Sequence, residues 1–423
     1  MIYALLLITL IIGVPFAFVI LGTLLVFMAG ADFPYHIRIV AQQAFGGLSS
    51  FPLLAVPLFI LAGEVMNEAG ITRRIIALAN ALVGRMRAGL AQVNIWASVM
   101  FAGLSGSAIA DTSTLGRVFI PEMEKEGYPR DFAAALTAAS SVIGPIIPPS
   151  IPVIIYALTV SGVSVPGLFM AGIVPGLLLA MGLSIYVFFF AGHFGTRKTH
   201  APGTRRKAVF NGLIPLFMPV AVIGSILLGI VTPTEAASFA VVYALFVGLV
   251  LYRSIPVLAL PRIFTRAMRD SSVIMIIMGA VSAANWLLTY NRVPNIITEW
   301  VLATIDSQVM FLIAVMLLLL LVGLVLEGIA AILVLVPILH PIAVGLGIEP
   351  LHFAILVIFN LMIGLITPPV GLCLFVADSV ARVGLSAIVR RLWPMLLVEI
   401  AVLIVIAFVP DLVTFLPRIT GYL

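Results

Sequence analysis

Three short stretches of this chain hold residues suited to binding ions rather than to packing a core. The first, Gly103-Leu104-Ser105-Gly106-Ser107-Ala108-Ile109-Ala110-Asp111, sets two hydroxyls and a carboxylate among small residues that let backbone approach closely. The others are Gly144-Pro145-Ile146-Ile147-Pro148-Pro149-Ser150 and Gly364-Leu365-Ile366-Thr367-Pro368-Pro369, each inside an apolar run. Adjacent prolines remove two N–H donors and clash with preceding carbonyls, so a helix entering either stretch unwinds. The freed carbonyls are hard oxygen ligands for a small cation, and the restarted helix turns its N-terminus toward an anion. On this reading Ser105 and Ser107 coordinate Na+, with Asp111 either the charged partner or a cap on the following helix. Glu327 is the one acid in the corresponding stretch of the second half, and it suits a hydrogen-bonded structural role equally well. The plainer alternatives are packing kinks at the prolines and GxxxG-type helix contacts at the small residues.

The elements that position these residues are membrane spans. Of 423 residues 63% are hydrophobic and 9% charged, too few charges to cover a water-soluble surface. Repeated apolar runs of the ~20 residues that cross ~30 Å of hydrocarbon describe an all-α polytopic membrane protein embedded in a lipid bilayer. That composition excludes a soluble enzyme, a nucleic-acid binder and a disordered scaffold. The pI near 9.6 comes from basic residues in short loops, where they set topology. Full spans are expected near 2–29, 51–68, 131–160, 167–192, 212–230, 235–252, 271–290, 351–381 and 392–410. The first lacks a preceding Lys or Arg and is too long for a signal peptide, so it reads as a retained span. The runs 89–121 and 307–345 are too long for one helix and are broken in the middle. They read as re-entrant hairpins, which the bilayer tolerates only where protein or a water-filled cavity satisfies the backbone.

Charge orients this layout. With a cytoplasmic N-terminus, 19 of the 22 Lys and Arg residues fall on the cytoplasmic side, leaving only Arg38, Arg292 and Arg418 outside. The first hairpin then opens from the cytoplasm, the second from the far side, and the C-terminus is external. A single offset of 220 residues pairs Gly103 with Gly323, Pro121 with Pro341, Gly127 with Gly347, Gly144 with Gly364 and Pro148-Pro149 with Pro368-Pro369. The chain therefore divides into a first repeat over 1–192, with hairpin 89–121 and broken helix 131–160, and a cytoplasmic loop over 193–211. A second repeat over 212–423 carries hairpin 307–345 and broken helix 351–381. Opposite orientation of the two makes an inverted repeat, the architecture of secondary transporters whose site lies near the midplane.

Rival chemistries fit less well. Gly103-Leu104-Ser105-Gly106 matches the G-x-S-G pattern of intramembrane serine proteases, which need a His on another span. His36, His193, His200 and His352 fall in connecting segments or span ends, and His340 lies beside the exit of the second hairpin. No G-x-x-x-x-G-K-[ST] nucleotide signature is present, so no nucleotide is expected and transport draws on a gradient. Acids for a proton relay are scattered at Asp111, Glu235, Glu327 and Asp378, which favours sodium as the coupling ion. The single cysteine, Cys373, excludes an intrachain disulfide and a cysteine metal cluster.

Longer motifs carry a resemblance. Gly103 to Tyr128, Ala134 to Ser150, Val231-Thr232-Pro233-Thr234-Glu235-Ala236-Ala237 and Asn360 to Leu372 closely resemble the large, DctM-like membrane subunit of tripartite ATP-independent periplasmic (TRAP) transporters. The resemblance runs over essentially the whole chain. It implies an elevator-type transporter with scaffold and transport domains, in which a periplasmic binding protein delivers a small organic acid. It also implies a small four-helix membrane subunit, here a separate chain, and a bacterial inner-membrane location. The substrate would be a carboxylate such as a C4-dicarboxylate, a sialic acid or another sugar acid. Carried over by motif position, Ser105, Gly106, Ser107 and Gly144 would hold one Na+, and Gly328, Gly364, Thr367 and Pro368 another. Without a buried Arg as a carboxylate clamp, the anion is expected at half-helix N-termini and hydroxyls, near Asp111, Pro149, Ser150, Glu327, Thr367 and Pro369. A stand-alone Na+/dicarboxylate symporter with the same hairpins is the alternative.

The charge asymmetry has a direct check. In a Cys373→Ser background, Thr199→Cys and Gly347→Cys are expected to react with an impermeant thiol reagent from opposite sides of the membrane. Labelling from one side would remove the inverted orientation.

Overall fold

Apolar side chains on all sides of most segments leave the chain little choice but helices, since a helix satisfies its own backbone where water is absent. The computed structural model describes residues 12–30, 38–194, 204–305 and 307–423, together with Thr9. In chain order the α-helices are α1 (Phe16–Gly30), α2 (Arg38–Leu48), α3 (Ala55–Glu68), α4 (Ile71–Val83), α5 (Gly89–Ser105), α6 (Ala108–Lys125) and α7 (Arg130–Ser141). Then come α8 (Ile151–Thr159), α9 (Val165–Phe190), α10 (Thr204–Leu227), α11 (Pro233–Leu245), α12 (Leu260–Tyr290) and α13 (Val293–Thr304). The last six are α14 (Gln308–Gly323), α15 (Gly328–Gly345), α16 (Pro350–Gly364), α17 (Leu372–Ala381), α18 (Leu385–Phe408) and α19 (Asp411–Ile419).

Seven helices among the described residues are long and apolar enough to cross a membrane. Nine were expected: six of these are found whole, three are not, and the seventh helix, Gly328–Gly345, is the second arm of the hairpin expected over 307–345. The spans expected over 131–160 and 351–381 are each two shorter helices around an unwound segment, α7 and α8 in one case and α16 and α17 in the other. The first expected span is described only from Phe16 onward, as α1; residues 1–8, 10 and 11 of it lie outside the described residues. Within the loop expected over 193–211, residues 195–203 also lie outside them, and α10 already begins at Thr204.

The 220-residue offset seen in the sequence reappears in the helix boundaries. Helices α6 and α15 start at Ala108 and Gly328, α7 and α16 at Arg130 and Pro350, and α9 and α18 at Val165 and Leu385. Side-chain caps set the first pair of starts. Ser107 caps α6 by accepting from Ala110 N, and its counterpart Glu327 caps α15 by accepting from Ile329 N and Ala330 N. The turn from each hairpin into the broken helix needs a left-handed residue, supplied by Gly127 at φ 92° and Gly347 at φ 77°. Both Pro148-Pro149 and Pro368-Pro369 peptide bonds are cis.

Two groups of helices pack around the breaks. In one, α3, α11 and α12 lie together, with α1 and α2 on α12 and α4 on α10. In the other, α6, α7, α17 and α18 are in mutual contact, as are α14, α15 and α16. The groups meet where α3 and α10 touch α5 and where α12 and α13 touch α15. Small residues permit the approach: a Cβ on Gly63 of α3 would come within 2.9 Å of the Leu104 carbonyl, and one on Gly103 would strike Pro219 of α10.

The tightest crossing lies inside the second half. A Cβ on Gly364 would stand 2.7 Å from Gly323 Cα and 3.0 Å from its carbonyl oxygen, backbone atoms that cannot swing aside. Gly364→Ala is expected to destabilise by about 1–3 kcal/mol through overpacking. Thermal unfolding in detergent reads this as a lowered midpoint, with Gly224→Ala, which meets nothing within 4 Å, unchanged.

Candidate functional site

The first hairpin tip folds against the first break. Helix α5 ends at Gly106, whose φ of 59° lets the chain reverse into α6. A Cβ there would lie 3.2 Å from the Pro149 carbonyl oxygen and from Ile151 N, so tip and break are in backbone contact. Ser105 Oγ donates to Asp111 Oδ1 and accepts from Ser107 N at 3.1 Å. Asp111 is fully buried, and its second oxygen, Oδ2, has no hydrogen-bond partner among the described residues. That oxygen faces the unwound segment, where a Cβ on Gly144 would collide with it and would lie 3.2 Å from the Ser141 carbonyl. Ser105, Gly106, Ser107 and Gly144 are thus gathered around one buried carboxylate.

This arrangement suits a hard monovalent cation. It offers an unpartnered carboxylate oxygen, a hydroxyl oxygen and backbone carbonyls released by unwinding, all of them oxygen donors. Asp111, expected with the substrate group, lies at this pocket. Ser150 sits at the start of α8, fully buried, donating to the Pro145 carbonyl and accepting from Val153 N at 3.3 Å. Its hydroxyl closes the break on itself, and Pro149 presents its carbonyl to Gly106.

The second half is built differently. Gly364 is pressed against Gly323, and Gly328 faces the Met362 methyl group. Thr367 Oγ1 donates to the Ile363 carbonyl at 2.8 Å, and Pro368 and Pro369 follow it in the break. Where the first half has Asp111, the offset places Ala331. The unpartnered buried oxygen here belongs to Asn360, whose Oδ1 has no partner while Nδ2 donates to the Met316 carbonyl at 3.0 Å. Its counterpart Ser140 joins a buried network in which Asn94 donates to Thr137 at 2.8 Å and Ser98 to Ser140 at 3.0 Å.

A cavity of about 180 Å³ separates the tips from α3 and α12. On one side it meets Ser105, Gly106, Ser107 and Glu327 with the first residues of α6, α8 and α15. The starts of three helices, carrying partial positive charge, therefore open onto it. On the other side stand Glu64 and Asn67 of α3 and Asp270 of α12, which the sequence reading passed over. Polar residues inside apolar spans were the available signal. Arg266 bonds Glu64 at 3.1 Å and lies 3.9 Å from Glu68, close to this wall.

Several residues weighed at the sequence level have structural uses. Glu235 forms a capping box with Thr232, accepting from Thr232 N at 2.7 Å, and Asp378 accepts from the N–H groups of Val383 and Gly384. Buried His340 hydrogen-bonds the Tyr156 hydroxyl at 2.8 Å, and His352 bonds the Ile406 carbonyl at 2.9 Å. Neither ring is directed at Ser105.

Comparison with known proteins adds the following. The family profile described as "Tripartite ATP-independent periplasmic transporter, DctM component" matches residues 1–412. A sialic acid TRAP transporter large permease protein of Vibrio cholerae is 38% identical over 413 residues, covering 97% of this chain and 96% of that protein. A 2,3-diketo-L-gulonate TRAP transporter large permease protein of Escherichia coli is 37% identical, covering 95% of each chain. Among solved structures, the YdaH transporter of Alcanivorax borkumensis, reported to have an unusual topology, shares the fold. Its TM-score is 0.65 at 16% identity, over 94% of this chain and 97% of that one.

The pocket geometry makes Gly144 a sensitive position. Gly144→Ala is expected to push Asp111 off its place and to reduce the Na+-induced rise in thermal unfolding temperature, while leaving the protein monodisperse. An unaltered Na+ effect would show that the Asp111 pocket takes no cation.

Proposed function

The chain belongs to the DctM-component family of tripartite ATP-independent periplasmic transporters, and from that premise we propose that it imports a small organic anion across the bacterial inner membrane at the expense of a Na+ gradient. The observation that carries this reading is the buried Asp111 carboxylate, with one oxygen free and facing the unwound Gly144. One Na+ sits there, held by Asp111, the Ser105 hydroxyl and carbonyls of the break. A second sits at the break of the second half, near Gly328, Gly364, Thr367 and Pro368, where backbone carbonyls supply the oxygens.

The substrate occupies the cavity between the two helix groups. Its carboxylate lies at the N-termini of α6 and α8, where the helix dipoles favour an anion; at α15 the Glu327 carboxylate already accepts from Ile329 N and Ala330 N. A sugar acid or a dicarboxylate meets this description. The cation bound beside the tip neutralises Asp111 and so makes anion binding next to it favourable, which couples the two. The relatives are a sialic acid and a diketogulonate permease, which supports a carboxylate cargo. A periplasmic binding protein captures the substrate and docks from outside on this chain and a small four-helix membrane subunit. The two hairpins and broken helices move as a body against α3, α10 and α12 in an elevator motion of inverted repeats, with the N-terminus cytoplasmic and the C-terminus periplasmic. Glycines at the meeting surface, Gly63 and Gly103, keep that surface free of side chains that would lock it.

Uptake into proteoliposomes tests the proposal. With the small subunit present and the binding protein outside, an inward Na+ gradient is expected to drive organic-acid uptake, and ATP to have no effect. Ser105→Ala and Thr367→Ala are each expected to raise the Na+ concentration for half-maximal uptake severalfold, as loss of one oxygen ligand implies. Saturable Na+-driven uptake by this chain alone, at the same rate, would instead support a stand-alone symporter.

A further inference from the structure

Glu399 lies in the apolar middle of α18. It is fully buried, and neither of its carboxylate oxygens has a hydrogen-bond partner among the described residues. At the equivalent place in the first half, 220 residues earlier, α9 carries the fully buried Leu179. The fold therefore has no packing need for an acid at this position.

Helix α18 packs against α7, α9, α16 and α17, and the charged or titratable groups on each lie away from Glu399 with one exception. On α7, Arg130 and Asp131 stand at the N-terminal end, where Asp131 pairs with Arg391 at 3.1 Å. Arg391 and the neighbouring Arg390 are about two turns before Glu399, ~12 Å along the helix. On α9 the one such group, Tyr186, is within electrostatic reach of Arg391 at that same end. On α16, His352 bonds the Ile406 carbonyl, ~10 Å beyond Glu399. On α17, Asp378 is engaged by backbone N–H groups, which leaves Cys373. The buried Cys373 thiol lies beside Thr112 and within electrostatic reach of both Glu399 and Asp111, on α17, which packs against both α6 and α18.

An ionised carboxylate is unsupported in such a place, because no cation, N–H or hydroxyl answers it. Apolar surroundings remove an unpaired charge by protonation. A metal ion fits poorly, since hard cations take several oxygen ligands and no group of three His, Cys, Asp or Glu exists among the described residues. A proton needs a single oxygen. We propose that Glu399 is a proton-binding site of α18, occupied in this conformation, and that it gives its proton to water when a cation fills the Asp111 pocket.

In that step the Glu399 O–H bond breaks and water takes the proton as hydronium; the cation that enters and the proton that leaves each carry one positive charge, so the net charge held by Asp111 and Glu399 together is unchanged. When the cation leaves, hydronium returns the proton. The added positive charge lowers the cost of the Glu399 carboxylate. The release step rests on the Na+ reading given above; the occupied proton site does not.

Two measurements on the full-length chain in detergent decide this. Infrared spectra at neutral pH are expected to show a protonated-carboxyl C=O band that is missing from Glu399→Gln; absence of that band in the unmodified chain overturns the site. NaCl, and not choline chloride, added to weakly buffered protein is expected to release protons to a pH dye from the unmodified chain and not from Glu399→Gln. Release that persists in Glu399→Gln, or none from the unmodified chain, overturns the link to the cation. Glu399→Leu, which copies the first half, is the folding control and is expected to elute as a single species. If Na+ also fails to shift thermal unfolding of the unmodified chain, the Na+ reading has failed, and the infrared band still decides Glu399 separately.

Discussion

Backbone that stops being helical inside an apolar interior must find partners for its N–H and C=O groups, and this requirement organises the molecule. Two segments, 142–150 and 365–371, leave the regular α-helical ladder at their prolines and keep turn-type bonds, such as Gly144 N to the Ser141 carbonyl and Thr367 N to the Gly364 carbonyl, each at 3.1 Å. Each is repaired from nearby. Ser150 spans the first break by bonding Pro145 O and Val153 N, and the Leu365 carbonyl accepts from Cys373 N at 3.0 Å across the second. The first hairpin tip completes its break by laying Gly106 on Pro149. The same shortage leaves oxygens off the regular helix beside a carboxylate that the tip brings in.

The two halves share helix boundaries and caps yet differ in what those boundaries hold. Ser105, Asp111 and Ser140 of the first half correspond to Val325, Ala331 and Asn360 of the second. The first half therefore supplies a charged oxygen, while the second supplies carbonyls and an amide. A Leu in the first half becomes Glu399 in the second. Repetition of the frame with divergence of the polar residues leaves the two breaks in different polar surroundings.

Between the helix groups the surface is made of small residues and a few polar ones. The cavity has helix N-termini on one wall and Glu64, Asn67 and Asp270 on the other, with Arg266 drawn toward Glu64. Helix ends on the tip side thus face acids across the gap, with Glu327 standing on the tip side as the cap of α15. Exposed ion pairs such as Lys125–Glu122, on the order of 0–1 kcal/mol each, add little to this picture.

The amino-acid sequence alone determined the membrane class, the family, the repeat offset and the positions of both tips and both breaks. Each of these is local or compositional: hydrophobicity dictates helices in lipid, Pro-Pro forces unwinding wherever it occurs, and Gly spacing marks the turns. The family resemblance also grouped Ser105, Ser107 and Gly144 as ion ligands; what the fold adds is that Ser105 bonds Asp111 and Gly144 faces its second oxygen. Sequence could not say whether an acid caps a helix, closes a loop or stands unpaired. Glu235, Glu327 and Asp378 accept backbone hydrogens, whereas Asp111 and Glu399 are buried with oxygens left over. Which outcome an acid meets depends on the N–H groups that other turns and helices bring within about 3 Å of it, and that is settled only when the chain has packed.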